Sequence, residues 1–88
     1  MTFSWDARKA AANLRKHKVS FAEAQTAFDD PLAAYFPDVL FSDRFLLLGH
    51  STSNRLLYVV YAEVKQDSIR IISARKATNH EKVRYQEG

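Results

Sequence analysis

Cysteine is absent from the 88 residues, and that absence removes several chemistries at once. It excludes a disulfide framework, a thiolate-ligated zinc or iron–sulfur site, and a thiol nucleophile. Small secreted domains commonly rely on disulfides, so the expected location is a reducing cytoplasm. Glycine is almost as scarce, standing only at Gly49 and Gly88, which leaves no glycine-rich loop to cradle a nucleotide phosphate. With only two prolines as well, the chain does not read as a linker or a low-complexity segment. Long apolar runs are missing too: Phe45–Gly49 and Leu56–Ala62 are far too short to span a bilayer. Asp6, Arg8 and Lys9 interrupt the N-terminus before any apolar run, so no signal peptide is expected and no membrane role. The three histidines, His17, His50 and His80, lie thirty or more residues apart, without metal-ligand spacing. Neither metal nor cofactor is expected.

What is present is ordinary for a globular domain, with 47% hydrophobic and 26% charged residues. A chain this short buries only roughly 60% of its unfolded surface, which suits one domain over residues 1–88 and no large enclosed cofactor site. The formal charge of +3 is unevenly spread. Arg8, Lys9, Arg15, Lys16 and Lys18 form one basic segment, and Arg70, Arg75, Lys76, Lys82 and Arg84 form another. Together they hold ten of the thirteen Lys and Arg. The middle of the chain is acidic or neutral. The Lys16–Lys18 turn and the Arg70–Lys76 strand end are predicted to lie on one face, which would suit a polyanion or an acidic partner. Two solvated surfaces on opposite sides are the plainer alternative.

Periodicity and end signals order the elements. Phe3-Ser4-Trp5 reads as a short strand, and Asp6 as the N-cap of a helix over Ala7–His17. Ala7, Ala10, Ala11 and Leu14 share one side of that helix. Ser20 and Glu23 form a capping box that opens a second short helix to about Phe28, with Val19 as its hydrophobic staple. The period then changes to two or to continuous apolar runs. Strands are predicted at Ala33–Pro37, Arg44–Ser51, Leu56–Val64 and Ser68–Ala74, joined by short loops into an antiparallel meander. A second capping box, Thr78 with Glu81, starts the last helix. The fold class is α+β, in the order β-α-α-β-β-β-β-α: a compact antiparallel β-sheet with two N-terminal helices and one C-terminal helix.

The residues able to carry chemistry are Arg, Lys, His, Tyr and Ser. Alternation in Ser68–Ala74 puts Ile69, Ile71 and Ser73 on one face and Arg70, Ile72 and Ala74 on the other. Arg70 is either a phosphate contact or a sheet ion pair with Glu63. Arg75 and Lys76 either bind phosphate beside the last helix or mark a solvated strand end. Lys16-His17-Lys18 either complements the first helix's C-terminal dipole or supplies acid–base chemistry. His50, in an apolar strand, reads as a structural histidine. Tyr85 either covers the sheet or reaches a phosphate.

These residues also carry a resemblance. Phe3-Ser4-Trp5-Asp6, Asn13–Phe21, Asp30-Pro31-Leu32, and Arg70–Ala77 with Glu81, Arg84 and Tyr85 resemble the BrnT toxins of BrnT/BrnA type II toxin–antitoxin systems, over nearly the whole chain. The resemblance implies a RelE-like fold and metal-independent RNA cleavage, in which a 2′-hydroxyl attacks the adjacent phosphorus. Matched by motif, Lys16, His17, Arg70 and Arg75 would be catalytic. Ser73, Lys76, Arg84 and Tyr85 would bind RNA. The implied partners are RNA and a ribbon-helix-helix antitoxin of the BrnA type, in an assembly of two toxins and two antitoxins that meets promoter DNA only through the antitoxin. A non-catalytic RNA-binding or protein-docking module on the same scaffold is the alternative. Two features depart from the family pattern: Lys18 stands where Gly is usual, and Thr78-Asn79-His80 is less basic than in most members.

Overall fold

Asp6 begins the helical part of the chain by local chemistry. Its carboxylate accepts the backbone N–H groups of Arg8 and Lys9 at 2.9 and 3.1 Å, satisfying two orphan donors of the first turn. A computed structural model describes all residues, Met1–Gly88. Its elements are β1 (Thr2–Ser4), α1 (Ala7–His17), α2 (Phe21–Thr26), a 3-10 turn at Ala27–Asp29, β2 (Ala34–Pro37), β3 (Arg44–His50), β4 (Leu56–Lys65), β5 (Ser68–Lys76) and α3 (Asn79–Glu87). The order is the one predicted from capping and periodicity.

The sheet order is β1-β5-β4-β3-β2. Strands β2 to β5 form the expected antiparallel meander, but β1 pairs with β5 in parallel, with Phe3 opposite Ile69. The sheet is therefore mixed, not wholly antiparallel. Parallel pairing starts α1 beside Arg70 and lets it run along β5 towards Ala74.

One face of the sheet packs against α1 and α2. Val19, Phe21, Ala24 and Ala27 meet Leu47, Leu57, Val59, Tyr61, Ile69, Ile71 and Ala74 in one apolar core. Edge-to-face aromatic pairs, Phe3 with Phe28 and Phe28 with Tyr61 at 5.0 Å each, extend it. Val19 and Ala24, the two positions of a hydrophobic staple around the Ser20 cap, are both fully buried in this core.

Three local expectations are corrected. The alanine stripe of α1 does not face the core, since Ala7, Ala11 and Leu14 are exposed; Ala10, Asn13 and His17 turn inward. Asn13 is buried because β1 ends opposite Arg70 and leaves the edge of β5 open at Ala74. The Asn13 amide closes that edge as a peptide would, accepting from the Ala74 N–H at 3.1 Å and donating to its carbonyl at 2.8 Å. The capping box at Ser20 is half made: Ser20 accepts from the Glu23 N–H, but the Glu23 carboxylate is held by Arg55 and Ser51. Finally, the ladder jumps from Val60–Ser73 to Tyr61–Ile71, so Ile72 is a bulge. The extra residue inverts the alternation, putting Ala74 in the core and Ser73 on the outer face with Arg70 and Arg75.

Candidate functional site

The outer face of the sheet, away from α1 and α2, carries Arg70, Ser73 and Arg75 from β5 opposite Ala62, Val60 and Tyr58 of β4. Arg70 is exposed and makes no ion pair. The pairing with Glu63 does not form, because Glu63 stands opposite Ile69 and so belongs to the other face. Arg75 is differently placed. Its guanidinium lies 4.1 Å from the Tyr58 ring centroid and donates to both Glu81 carboxylate oxygens at 2.9 Å. Hydrogen bonding to Arg75 holds the Glu81 carboxyl below its ordinary range, and Glu81 in turn raises the guanidinium's pKa. The fork expected to clamp a phosphate is already filled by a carboxylate.

That carboxylate belongs to α3, which lies over the outer face. Thr78 and Glu81 make a complete capping box at its start. Arg84 stacks on Phe36 at 4.3 Å, and the Tyr85 hydroxyl donates to Asp30 Oδ2 at 2.6 Å. Burial and the Asp30 carboxylate push the Tyr85 phenol up to about 12. Tyr85 thus ties the last helix to the segment before β2, and its hydroxyl is not free for a phosphate.

Between α3 and the end of the sheet lies an open groove of about 580 Å³, lined by His50, Asn54, Arg55, Lys76, Lys82 and Tyr85 among others. Lys76 and Lys82 are exposed and unpaired. Arg55 is bound to Glu23 and also donates to the Lys18 carbonyl at 3.0 Å. His50, which reads from the sequence as a structural histidine, also lines this groove. It ends β3 on the outer face, pairs with Leu56, and has a side chain 39% exposed to the groove. Its backbone N–H donates to Asp30 Oδ2 at 2.8 Å, its Nδ1 is 3.6 Å from that oxygen, and its ring meets Tyr85 edge-on at 4.9 Å. Burial raises the Asp30 pKa, but donors from His50, Tyr85 and Leu32 outweigh it and keep the carboxylate ionised to lower pH than usual. No spacing rule links residues 30, 50 and 85, and only the fold brings them together.

Lys16 and His17 lie elsewhere. They end α1, which packs on the β5 face carrying Ile69, Ile71 and Ala74, whereas Arg70, Ser73 and Arg75 occupy the opposite face. The two basic segments meet at the same end of the sheet, where Arg55 touches the Lys18 carbonyl, but they do not share a face. Lys18 closes α1 in the left-handed conformation, φ 60° and ψ 30°, so the helix stop expected of glycine is kept by lysine.

No three His, Cys, Asp or Glu side chains are grouped as metal ligands, and no helix is long and apolar enough to cross a membrane. No curated protein matches the chain. Among solved structures it is similar to the ribonuclease toxin BrnT of Brucella abortus, with a TM-score of 0.74 and 26% identity over 90% of this chain and 99% of that one. Residues 5–81 match the family described as the ribonuclease toxin, BrnT, of type II toxin–antitoxin systems, which implies an antitoxin as partner. With a match across most of its length and the same fold, the chain belongs to the BrnT family of ribonuclease toxins.

Proposed function

We propose that the protein cleaves RNA without a metal, by attack of a ribose 2′-hydroxyl on the adjacent phosphorus. The 2′-oxygen–phosphorus bond forms and the phosphorus–5′-oxygen bond breaks, leaving a 2′,3′-cyclic phosphate and a 5′-hydroxyl. The observation that carries this reading is the set of cations without an ion pair, Arg70 on the outer face with Lys76 and Lys82 at the groove, while the acids around the groove, Glu23, Glu81 and Asp30, are held by Arg55, Arg75 and Tyr85. Free cations beside a groove bind a polyanion and stabilise charge developing on a phosphoryl group.

In this reading Arg70, Ser73, Lys76 and Arg84 contact the RNA backbone, and Lys82 joins them. Arg75 and Tyr85 hold α3 in position. Arg75 reaches phosphate only if Glu81 gives it up. Lys16 and His17, across the sheet, are assigned no step, and Lys16 adds to the cationic field.

The antitoxin is proposed to be a BrnA-type ribbon-helix-helix protein, dimeric through that fold, giving two toxins and two antitoxins and reaching promoter DNA itself. The edge strand β2 supports a protein partner. Leu32 is exposed beside it, and its loop to β3 carries Val39 and Leu40, 95% and 81% exposed, more apolar surface than a free chain usually leaves together. An RNA substrate and a cysteine-free chain fit a cytoplasmic setting. Incubating the purified protein with RNA in EDTA and mapping the ends tests the chemistry. Cyclic phosphate and 5′-hydroxyl ends that persist in chelator are expected. Ends bearing 5′-phosphate, or activity restored only by a divalent ion, would contradict it.

A further inference from the structure

Resting on the cleavage chemistry proposed above, we propose that His50 is the base that takes the 2′-hydroxyl proton, held for that task by Asp30, with the scissile phosphate bound by Lys76 and Lys82. A general base needs three things: an available lone pair, an orienting partner, and a place for the reacting atoms. His50 has all three.

The lone pair comes first. No protein group hydrogen-bonds either ring nitrogen of His50, and Nδ1 is the one on the Asp30 side, so Nε2 is left to the groove. The partner is Asp30, whose side chain is only 9% exposed. Its position is over-determined: Oδ1 accepts from the Leu32 N–H at 2.9 Å, and Oδ2 accepts from the His50 N–H and the Tyr85 hydroxyl. A fixed carboxylate beside Nδ1 favours the tautomer with the proton on Nδ1 and stabilises the imidazolium once Nε2 is protonated. The 3.6 Å separation is an ion-pair distance, longer than a hydrogen bond. Such contacts commonly tighten when substrate binds. Edge-on packing against Tyr85 limits rotation of the ring.

The place is the groove. The charged and titratable groups around His50 are Asp30 before β2, Arg55 after β3, Lys76 at the end of β5, and Lys82 and Tyr85 on α3. Asp30 alone among the acids faces the ring. Arg55 is neutralised by Glu23, so Lys76 and Lys82 are the cations left for a phosphate. In the step itself the 2′-hydroxyl proton passes to Nε2, the 2′-oxygen bonds to phosphorus, and the 5′-oxygen leaves with a proton from water at the open end of the groove. His17, the other candidate, faces α1's side of the sheet and has no carboxylate partner.

The test measures cleavage and binding separately. His50→Gln and His50→Ala should each lose cleavage by about a hundredfold or more. Their affinity for a 2′-deoxy oligonucleotide, which cannot react, should stay within about threefold of wild type by the same reasoning. Free imidazole should restore cleavage to His50→Ala. Asp30→Asn should lower cleavage less than His50→Gln does and move the acid limb of the pH–rate profile, an effect that a purely structural role would not produce. Unchanged cleavage and pH profile in His50→Gln would overturn the proposal. So would imidazole rescue of His17→Ala in place of His50→Ala. If wild-type protein leaves no cyclic phosphate ends, the cleavage chemistry itself fails and takes this assignment with it.

Discussion

The two faces of the sheet are built by different physics. Beneath α1 and α2 the contact is apolar and closed: Phe21, Leu47, Leu57, Val59 and Ile71 are each no more than 1% exposed. Above the sheet, α3 buries none of its residues. It is held by Glu81 on Arg75, Tyr85 on Asp30, and Arg84 on Phe36. Burial scales with area and is hard to undo locally, whereas a few polar tethers open at small cost. The closed face supplies stability. The tethered face keeps cations and a histidine beside water, where a substrate can reach them.

The contrast predicts a graded series. Phe21→Ala, in the closed face, should cost about 3–5 kcal/mol, read as a large fall in the denaturant midpoint. Tyr85→Phe should cost about 1.5–2 kcal/mol, because only one hydrogen bond to a carboxylate is lost. Equal costs would erase the distinction between the faces. Asn13→Leu should fall between them, at about 2–3 kcal/mol, by leaving the Ala74 N–H and carbonyl without partners. Its amide at Ala74 should exchange faster than in wild type.

The tether predicts a pH effect of its own. Glu81 has a folded pKa held below its ordinary value of 4.5, so its contribution is fully present above that value and is lost as pH falls through the depressed one. Amide exchange in α3 should therefore accelerate in acid before the core opens. Glu81→Gln should show the faster exchange already at neutral pH, at about 1 kcal/mol, since Arg75 is one-third exposed and the pair is partly screened. If α3 and the core open together at every pH, the tether is not a separate unit. One small effect has the opposite sign. Lys18→Gly relieves a left-handed residue and should raise stability by about 1 kcal/mol.

How much of this was legible in the chain follows from range. Caps at Asp6 and Thr78, and the change of period after Asp30, depend on neighbours within a few residues, and the element order came from them. The inward face of α1 did not, because Asn13 is buried by an open strand edge sixty-one residues away. Likewise one bulged residue, Ile72, exchanged the faces of Ser73 and Ala74, which alternation cannot foresee. The strand-end position of Arg75 suggests a phosphate contact or a solvated end, but its partner is a carboxylate from the same capping motif that starts α3. The surroundings of His50 come from Asp30 and Tyr85, twenty residues before it and thirty-five after, beyond the range of any local pattern. The BrnT motif contained both partners without showing what they surround.

RNA is expected to meet the outer face and its groove, not the α1 side. Chemical-shift mapping with a 2′-deoxy oligonucleotide tests it most directly, because every backbone amide reports its own position. Perturbations centred on His50, Arg70, Ser73, Lys76 and Lys82, with α1 nearly silent, are the result predicted. Perturbations centred on Lys16, His17 and Lys18, with the groove unmoved, would contradict it.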